Sequence, residues 1–288
     1  MKKIFRYSVL LVLTLTTVNF LFIFFLNLIA KIYHFNLFYS GLMLALACFL
    51  AATVLTIIII CTMPVLREFL NTSRQKTKLE NLSHPLMMRL AKEASGTYHH
   101  SLTVANLANK AAKAIEADSI LCRVGGYYHD IGKLKNPHYF MENQKAQLAI
   151  KDRQLSKIII NHVKDGVALA KEYNLPREII DLILQHHGTM ALQSLDFKNK
   201  MIYPGPKPLT KEAGILMLAD AVEAQIRTVS KPRNSDIIHI LEKTIQERVN
   251  SKQLEFCGLT NRDLKRIQEA FLEMLLAMYH QRLAYPKP

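Results

Sequence analysis

Eight of the eleven histidines fall between positions 84 and 187, several beside an aspartate or a second histidine. His99-His100 opens an amphipathic stretch. His129-Asp130 closes an apolar run at 124–128 and precedes Ile131-Gly132-Lys133. His162 lies four residues before Gly166, His186-His187 stands just before Gly188, and Asp220 ends the apolar run 215–219. Imidazole and carboxylate are the donor set of divalent first-row metals. Adjacent His and Asp side chains on one helix point about 100° apart, which suits a carboxylate bridging two ions. Ions ~3.5–4 Å apart can hold a hydroxide and clamp both the attacking and the leaving oxygen of a phosphoryl displacement. Lys133, one helical turn beyond His129, can set a point charge on a phosphate. No nucleophilic triad is visible. His34, His84, His138, His239 and His280 read as surface, cap or core residues, and His99 is ambiguous beside His100.

The elements that must position these residues read as helices. Leu102, Ala105, Leu107, Ala108, Ala111 and Ala112 form one apolar stripe; Ile179, Ile180, Leu182 and Ile183 form a second; Ile237, Ile240, Leu241 and Ile245 form a third. Residues 264–283 repeat apolar side chains at three- and four-residue steps. Pro176 marks a helix start and Thr260 is a natural N-cap. Residues 192–209, with Pro204, Gly205, Pro206 and Pro208, are irregular. No alternating strand pattern and no internal repeat is apparent, so the fold class is all-α.

The N-terminal part has a different composition. Before Arg67 there is no acidic residue, and the fixed charges are Lys2, Lys3, Arg6 and Lys31; the remaining residues carry a net +10. Residues 9–30 and 41–63 are each long and apolar enough for a ~30 Å hydrocarbon core. The first is too long for a signal-peptide core and lacks a small-residue cleavage site. Two N-terminal transmembrane helices are therefore expected, over residues 1–66, then a juxtamembrane linker over 67–83 and a catalytic domain over 84–288. Lys2, Lys3 and Arg6 flank the first run, and Arg67, Arg74, Lys76 and Lys78 flank the second. The positive-inside bias puts both flanks and both termini in the cytoplasm, with a short outer loop whose Tyr33, Phe35, Phe38 and Tyr39 fit an interfacial belt. The expected location is the inner (cytoplasmic) membrane. Cys48, Cys61, Cys122 and Cys257 show no CxxC spacing, against a disulfide framework or a thiolate zinc site. A basic surface on an anchored domain suits anionic lipid or an anionic substrate, and no motif supports binding a nucleic-acid polymer. Two spans without a buried ionisable residue offer no transport pathway.

The constellation resembles the HD-domain metal phosphohydrolases. It is most similar to the membrane-bound HD phosphodiesterases that cleave cyclic di-AMP, the seven-transmembrane HD receptor family. The resembling blocks are GTYHHSLTVANLA at 96–108, YYHDIGK at 127–133, PHYFMENQ at 137–144, NHVKDGVALA at 161–170, QHHGT at 185–189, YPGPKP at 203–208 and KEAGILMLADAVEA at 211–224. The resemblance implies a helical HD domain with His100, His129, Asp130 and Asp220 around one ion. It implies His162, His186 and His187 around a second, with Asp130 shared. The ions would be iron or manganese, and the reaction would open one phosphodiester to give a linear dinucleotide. Asp130 and Lys133 would be catalytic residues, Lys133 touching the phosphate. The loop at 203–208 is expected to close over the nucleotide, with Tyr203 and Lys207 as contacts.

Expected partners are the cyclic dinucleotide, membrane lipids and, as a candidate homodimer, a second copy of the chain. The chain departs from the fuller relatives in having two expected spans and no large extracytoplasmic domain. Relatives acting on cyclic di-GMP carry a Glu after the paired histidines and a GYP motif. Here Gly188 stands at that position and GYP is absent. An HD hydrolase of another nucleotide, and a degenerate HD module serving as a membrane-tethered platform, remain the alternatives; the complete ligand set speaks against the second.

Overall fold

The computed structural model describes residues 38–144, 152–192 and 201–279, with scattered positions between 17 and 32. The chain divides into two compact units, Met1–Ser73 and Arg74–Pro288.

In the first unit, most of the run at 9–30 and the aromatic side chains at 33–39 lie outside the described residues. The second run belongs to helix α1, Phe38–Leu79. Within it Leu44–Pro64 has a mean hydropathy of 2.8 over 21 residues and is the segment among the described residues long and apolar enough to cross a membrane. Phe49, Leu50 and Ile57 are about half exposed or more along it. Thr53, Thr56 and Thr62 donate their hydroxyls to the carbonyls of Leu50, Ala52 and Ile58, each at 2.8 Å. Hydroxyls satisfied within their own helix suit a surrounding that offers no water.

The stretch after residue 67, read as a juxtamembrane linker or short helix, continues helix α1 as far as Leu79. Lys76 Nζ pairs with Asp118 at 2.8 Å and Glu178 at 3.5 Å, and Leu79 is buried, which draws the last turns of α1 into the second unit.

That unit is built from α2 (Pro85–Glu93), α3 (Ser95–Ala114), α4 (Ser119–Tyr128), α5 (Asp152–Glu172), α6 (Arg177–Gln185), α7 (Lys211–Arg227), α8 (Asn234–Asn250) and α9 (Asn261–Tyr279). Three short 3-10 segments, Ile131–Lys135, Pro137–Tyr139 and Met141–Asn143, follow α4. The β pairing among the described residues is one isolated bridge, Ala191 to Ile202. Starts follow local chemistry: Asp118 and Thr210 accept from Leu121 N and Ala213 N, and Thr260 accepts from Asp263 N while its own N–H donates to Asp263. Pro176 sits immediately before α6.

The core has one apolar cluster joining α3, α4, α7, α8 and α9, around Leu107, Leu216 and Phe271. A second joins α2, α4 and α6, around Leu86, Tyr128 and Ile183. Each such side chain contributes about 1.5–3 kcal/mol on burial. That sum is what offsets burying ionised carboxylates, at several kcal/mol apiece. Helix α7 is the axis, buried without a break from Ala213 to Glu223.

Two glycines set the distances on which the site depends. A Cβ on Gly126 would stand 2.4 Å from Ala105 Cα, so α4 meets α3 backbone to backbone. A Cβ on Gly132 would stand 1.8 Å from His162 O, so the turn after Asp130 abuts α5. The stripe of alanines on α3 permits the first contact, and the missing Cβ permits the second.

Candidate metal centre

These contacts bring five separate segments to one point. His100 comes from α3, His129 and Asp130 from the end of α4, His162 from α5, His186 and His187 from the turn ending α6, and Asp220 from α7. The side chains of His100, His129, Asp130, His162 and His186 are almost wholly buried; that of His187 is 25% exposed.

The ligand atoms fall into two groups. His100, His129 and Asp130 form one, and His162, His186 and His187 the other, each with its ligand atoms within 4.8 Å of one another. Asp130 is divided between them. Its Oδ2 lies 3.5 Å from His100 Nε2 and 3.3 Å from His129 Nε2; its Oδ1 lies 3.3 Å from His162 Nε2 and 3.8 Å from His186 Nε2. Asp220 also straddles the groups. Its Oδ1 is 3.0 Å from His100 Nε2 and 3.7 Å from His129 Nε2, and its Oδ2 is 3.6 Å from His187 Nδ1. The spacing argument suited a carboxylate set between two groups, as Asp130 is, but did not show that Asp220 also faces both.

The tautomers follow from the partners of Nδ1. His129 donates to Gly126 O at 2.8 Å, His186 to Ile183 O at 2.7 Å, and His162 to Ile159 O. His100 donates to the carboxylate of Glu223. With Nδ1 so engaged, each Nε2 faces inward as the nitrogen available to an ion. His162 Nε2 and His186 Nε2 stand 3.2 Å apart, two acceptors with no proton to share. His129 Nε2 and both oxygens of Asp130 are buried without a hydrogen-bond partner. Buried polar atoms that converge without hydrogen bonds cost stability, a cost that a cation bound among them would offset. The donor set and its unsatisfied atoms fit divalent first-row ions.

Electrostatics separate the groups further. Burial opposes ionisation of Asp130, yet Lys133 and His129 hold its carboxyl well below the usual range; His100 and His129 do the same for Asp220. Burial likewise opposes charge on His129, but Asp130 and Asp220 raise it to about 10. His186 moves the other way, to about 3, because burial and then His129 and His162 disfavour its protonation. Burial also lowers His162 and His187.

Lys133 does not project freely into the site. Its ammonium donates to Glu142 Oε1 at 2.7 Å and forms an ion pair with Asp130 Oδ2 at 2.7 Å. It also lies 5.0 Å above the Phe140 ring. Tyr203 is buried with its ring 4.2 Å from that of His187, at 33°. Lys207 does not join the centre: its Nζ is 3.6 Å from Glu255 and 5.5 Å over the Phe256 ring. A short polar loop left the direction of that lysine open, and the C-terminal segment engages it instead. His84 caps α2 by accepting from Leu86 N. His34, His280 and the side chain of Cys61 lie outside the described residues; Cys48, Cys122 and Cys257 are free thiols.

Sequence reasoning missed two residues. Glu223, which fixes His100, lies three residues past Asp220 on the same face of α7, a spacing that signals it. Glu142, which fixes Lys133 and accepts from Thr97 Oγ1 at 3.0 Å, is delivered by successive 3-10 turns and leaves no periodic signal.

The HD domain family model matches residues 97–225. The crystal structure of the L. monocytogenes phosphodiesterase PgpH HD domain in complex with cyclic-di-AMP is 41% identical, with a TM-score of 0.67 over 70% of this chain and 100% of that one. This chain belongs to the HD-domain family. Cyclic-di-AMP phosphodiesterase PgpH of Listeria monocytogenes serotype 1/2a (strain 10403S) is 41% identical over 229 residues, 75% of this chain and 32% of that protein. The protein of the same description from Bacillus subtilis (strain 168) is 40% identical over 224 residues, 73% of this chain and 32% of that protein. The chain thus spans about a third of the length of these curated relatives. All seven candidate ligands fall inside the stretch matched by the HD family model.

Proposed function

We propose that this HD protein is a metal-dependent phosphodiesterase that opens a cyclic dinucleotide, with cyclic di-AMP as its substrate, from a membrane-anchored position. The observation carrying this reading is the division of Asp130 between two imidazole groups, Oδ2 facing His100 and His129 and Oδ1 facing His162 and His186. His100, His129, Asp130 and Asp220 would hold one ion and His162, His186 and His187 the other, Asp130 being common to both. Iron or manganese fits these nitrogen and oxygen donors. Two bound ions supply Lewis acidity and an activated water at neutral pH.

The chain's own residues do the rest. Lys133 supplies a buried positive charge against the carboxylate that faces the reacting phosphate, and Glu142 keeps it there. Tyr203 packs His187 and screens it from water. Hydrolysis breaks one phosphorus–oxygen ester bond. The water oxygen ends on phosphorus, a proton ends on the released ribose oxygen, and the product is the linear dinucleotide. Cyclic di-AMP is favoured over other nucleotides because the HD domain that is 41% identical is the one solved in complex with cyclic-di-AMP. Gly188 further supports this choice: its φ of +52 is strained for any residue with a side chain, which disfavours the glutamate of cyclic di-GMP enzymes there.

Anchoring is supported by Leu44–Pro64, whose satisfied threonines and exposed apolar face suit lipid. Together with the apolar run at 9–30 this gives a two-span anchor of the inner membrane, the catalytic unit and both termini being cytoplasmic. The test is turnover of cyclic di-AMP by the full chain in detergent micelles with added Mn²⁺ or Fe²⁺. A linear dinucleotide product is expected; two ions bound with no product would sink the enzymatic reading.

A further inference from the structure

Four of the five imidazoles at the centre have their ring orientation fixed by a hydrogen bond from Nδ1, to Gly126, Ile159, Ile183 or Glu223. Among the described residues His187 has no such bond. Its Nδ1 merely faces Asp220 Oδ2 at 3.6 Å, and it lies beyond the last residue of α6. A ligand on a turn is placed by whatever holds the turn.

Here the grip comes from a segment remote in sequence. Gly188 adopts φ +52, a left-handed conformation that turns the chain sharply after His187. The next residue, Thr189, donates its N–H to Gln253 Oε1 at 2.9 Å and its hydroxyl to the same oxygen at 3.3 Å. Gln253 Nε2 returns a bond to Thr189 Oγ1 at 3.1 Å and another to Ser251 O at 3.3 Å. Ser251 Oγ contacts Met190 Sδ at 3.5 Å. Met190 ties the arrangement to the ring itself: its N–H donates to His187 O at 3.1 Å, and its carbonyl accepts from Tyr203 N at 3.0 Å. Tyr203 is the residue whose ring packs on His187. One short segment after α8 thus supports His187 through its turn and through its stacking partner.

Gln253 is 3% exposed and lies outside the 97–225 stretch that matches the HD family. A buried amide is costly unless its bonds are made, and these bonds are spent on the turn carrying one ligand. We propose that Gln253 is a positioning residue for His187, so that affinity for the ion of the imidazole-only group depends on a residue outside the HD match. The inference rests on the two-ion reading above.

The test uses the full chain, stripped of metal in detergent micelles and titrated with Mn²⁺, followed by electron paramagnetic resonance. The unaltered chain is expected to take two ions and show the signal of an exchange-coupled pair. In Gln253→Leu the second ion should bind about 10- to 100-fold more weakly, as for lost outer-shell partners of other metal sites. The coupled signal should give way to that of an isolated ion whose own affinity is unchanged. Gln253→Glu keeps the acceptor for Thr189 and should restore the pair. Where thermal melting shows Gln253→Leu to be unfolded, Gln253→Asn decides, because it withdraws the amide by one methylene while staying polar. A folded Leu or Asn variant that binds both ions normally, or loses both equally, overturns the proposal. An unaltered chain that takes fewer than two ions overturns the two-ion reading itself, which keeps the two failures apart.

Discussion

The two halves of the centre use the same imidazole and reach opposite electrostatic states. Around His100 and His129 the carboxylates of Asp130, Asp220 and Glu223 stand within ion-pair distance, and His129 is held protonated up to about 10. Among the described residues, the carboxylate oxygens facing His162, His186 and His187 come from Asp130 and Asp220, and His186 stays neutral down to about 3. The first half presents negative charge that a proton or a metal ion can neutralise. The second presents lone pairs with little charge behind them. An ion there leans on Asp130, which makes the shared carboxylate the hinge of the comparison.

Removing that hinge should have the largest effect. Asp130→Asn is expected to lower cyclic di-AMP turnover by about 10³-fold or more, the several kcal/mol that a metal ion supplies at a transition state. It should also lower the bound metal of both halves, read by elemental analysis. Normal turnover in that variant would remove the shared-ligand assignment.

Acid and alkaline stability should separate the halves in the metal-free protein. His186 binds a proton more weakly folded than unfolded, so its contribution is present above the unfolded value of about 6.5 and is lost as pH falls below it towards about 3. His129 binds one more tightly folded than unfolded. Its contribution is full below about 6.5 and disappears as pH rises through about 10. Denaturant midpoints across pH should therefore flatten on the acid side in His186→Gln and on the alkaline side in His129→Gln. The same limb flattening in both variants would erase the distinction.

A smaller, one-sided effect is expected from Glu223→Gln. The amide still accepts from His100 Nδ1 but no longer charges it, so affinity for the first ion should fall about 10-fold while the second is spared. Titration with Mn²⁺ reads this directly. The smallest effect is at Lys207. Because it pairs with Glu255 over Phe256, Lys207→Ala should leave kcat/KM within about twofold, surface ion pairs being worth little. A tenfold loss would return that lysine to the site.

Much of this was legible in the residues. The stripe on α3, the Thr260 cap and the apolar run at 215–219 follow from helical periodicity and local hydrogen bonding, which depend on neighbours a few positions apart. The clustering of candidate metal donors was legible because such donors are few in kind and here sit beside one another, while the seven named positions came from the resemblance to the HD family. What stayed hidden depends on contacts across the fold. Glu142 reaches Lys133 through irregular turns, Lys207 is drawn to Glu255, and Gln253 meets Thr189 across 64 positions. No period in the sequence encodes such meetings. The packing of the stretch after residue 67, read as a juxtamembrane linker or short helix, was hidden for a similar reason, since Lys76 faces Asp118, a partner that only the folded unit supplies.

Gly132 turns the architecture into a diagnostic. A side chain there would collide with His162 O at 1.8 Å and Gly166 N at 2.4 Å, both backbone atoms that cannot step aside. Any natural variant carrying another residue at 132 must push α5 away and take His162 with it. One letter of the sequence therefore sorts chains able to close both halves of the centre from those that have kept its histidines but lost its geometry.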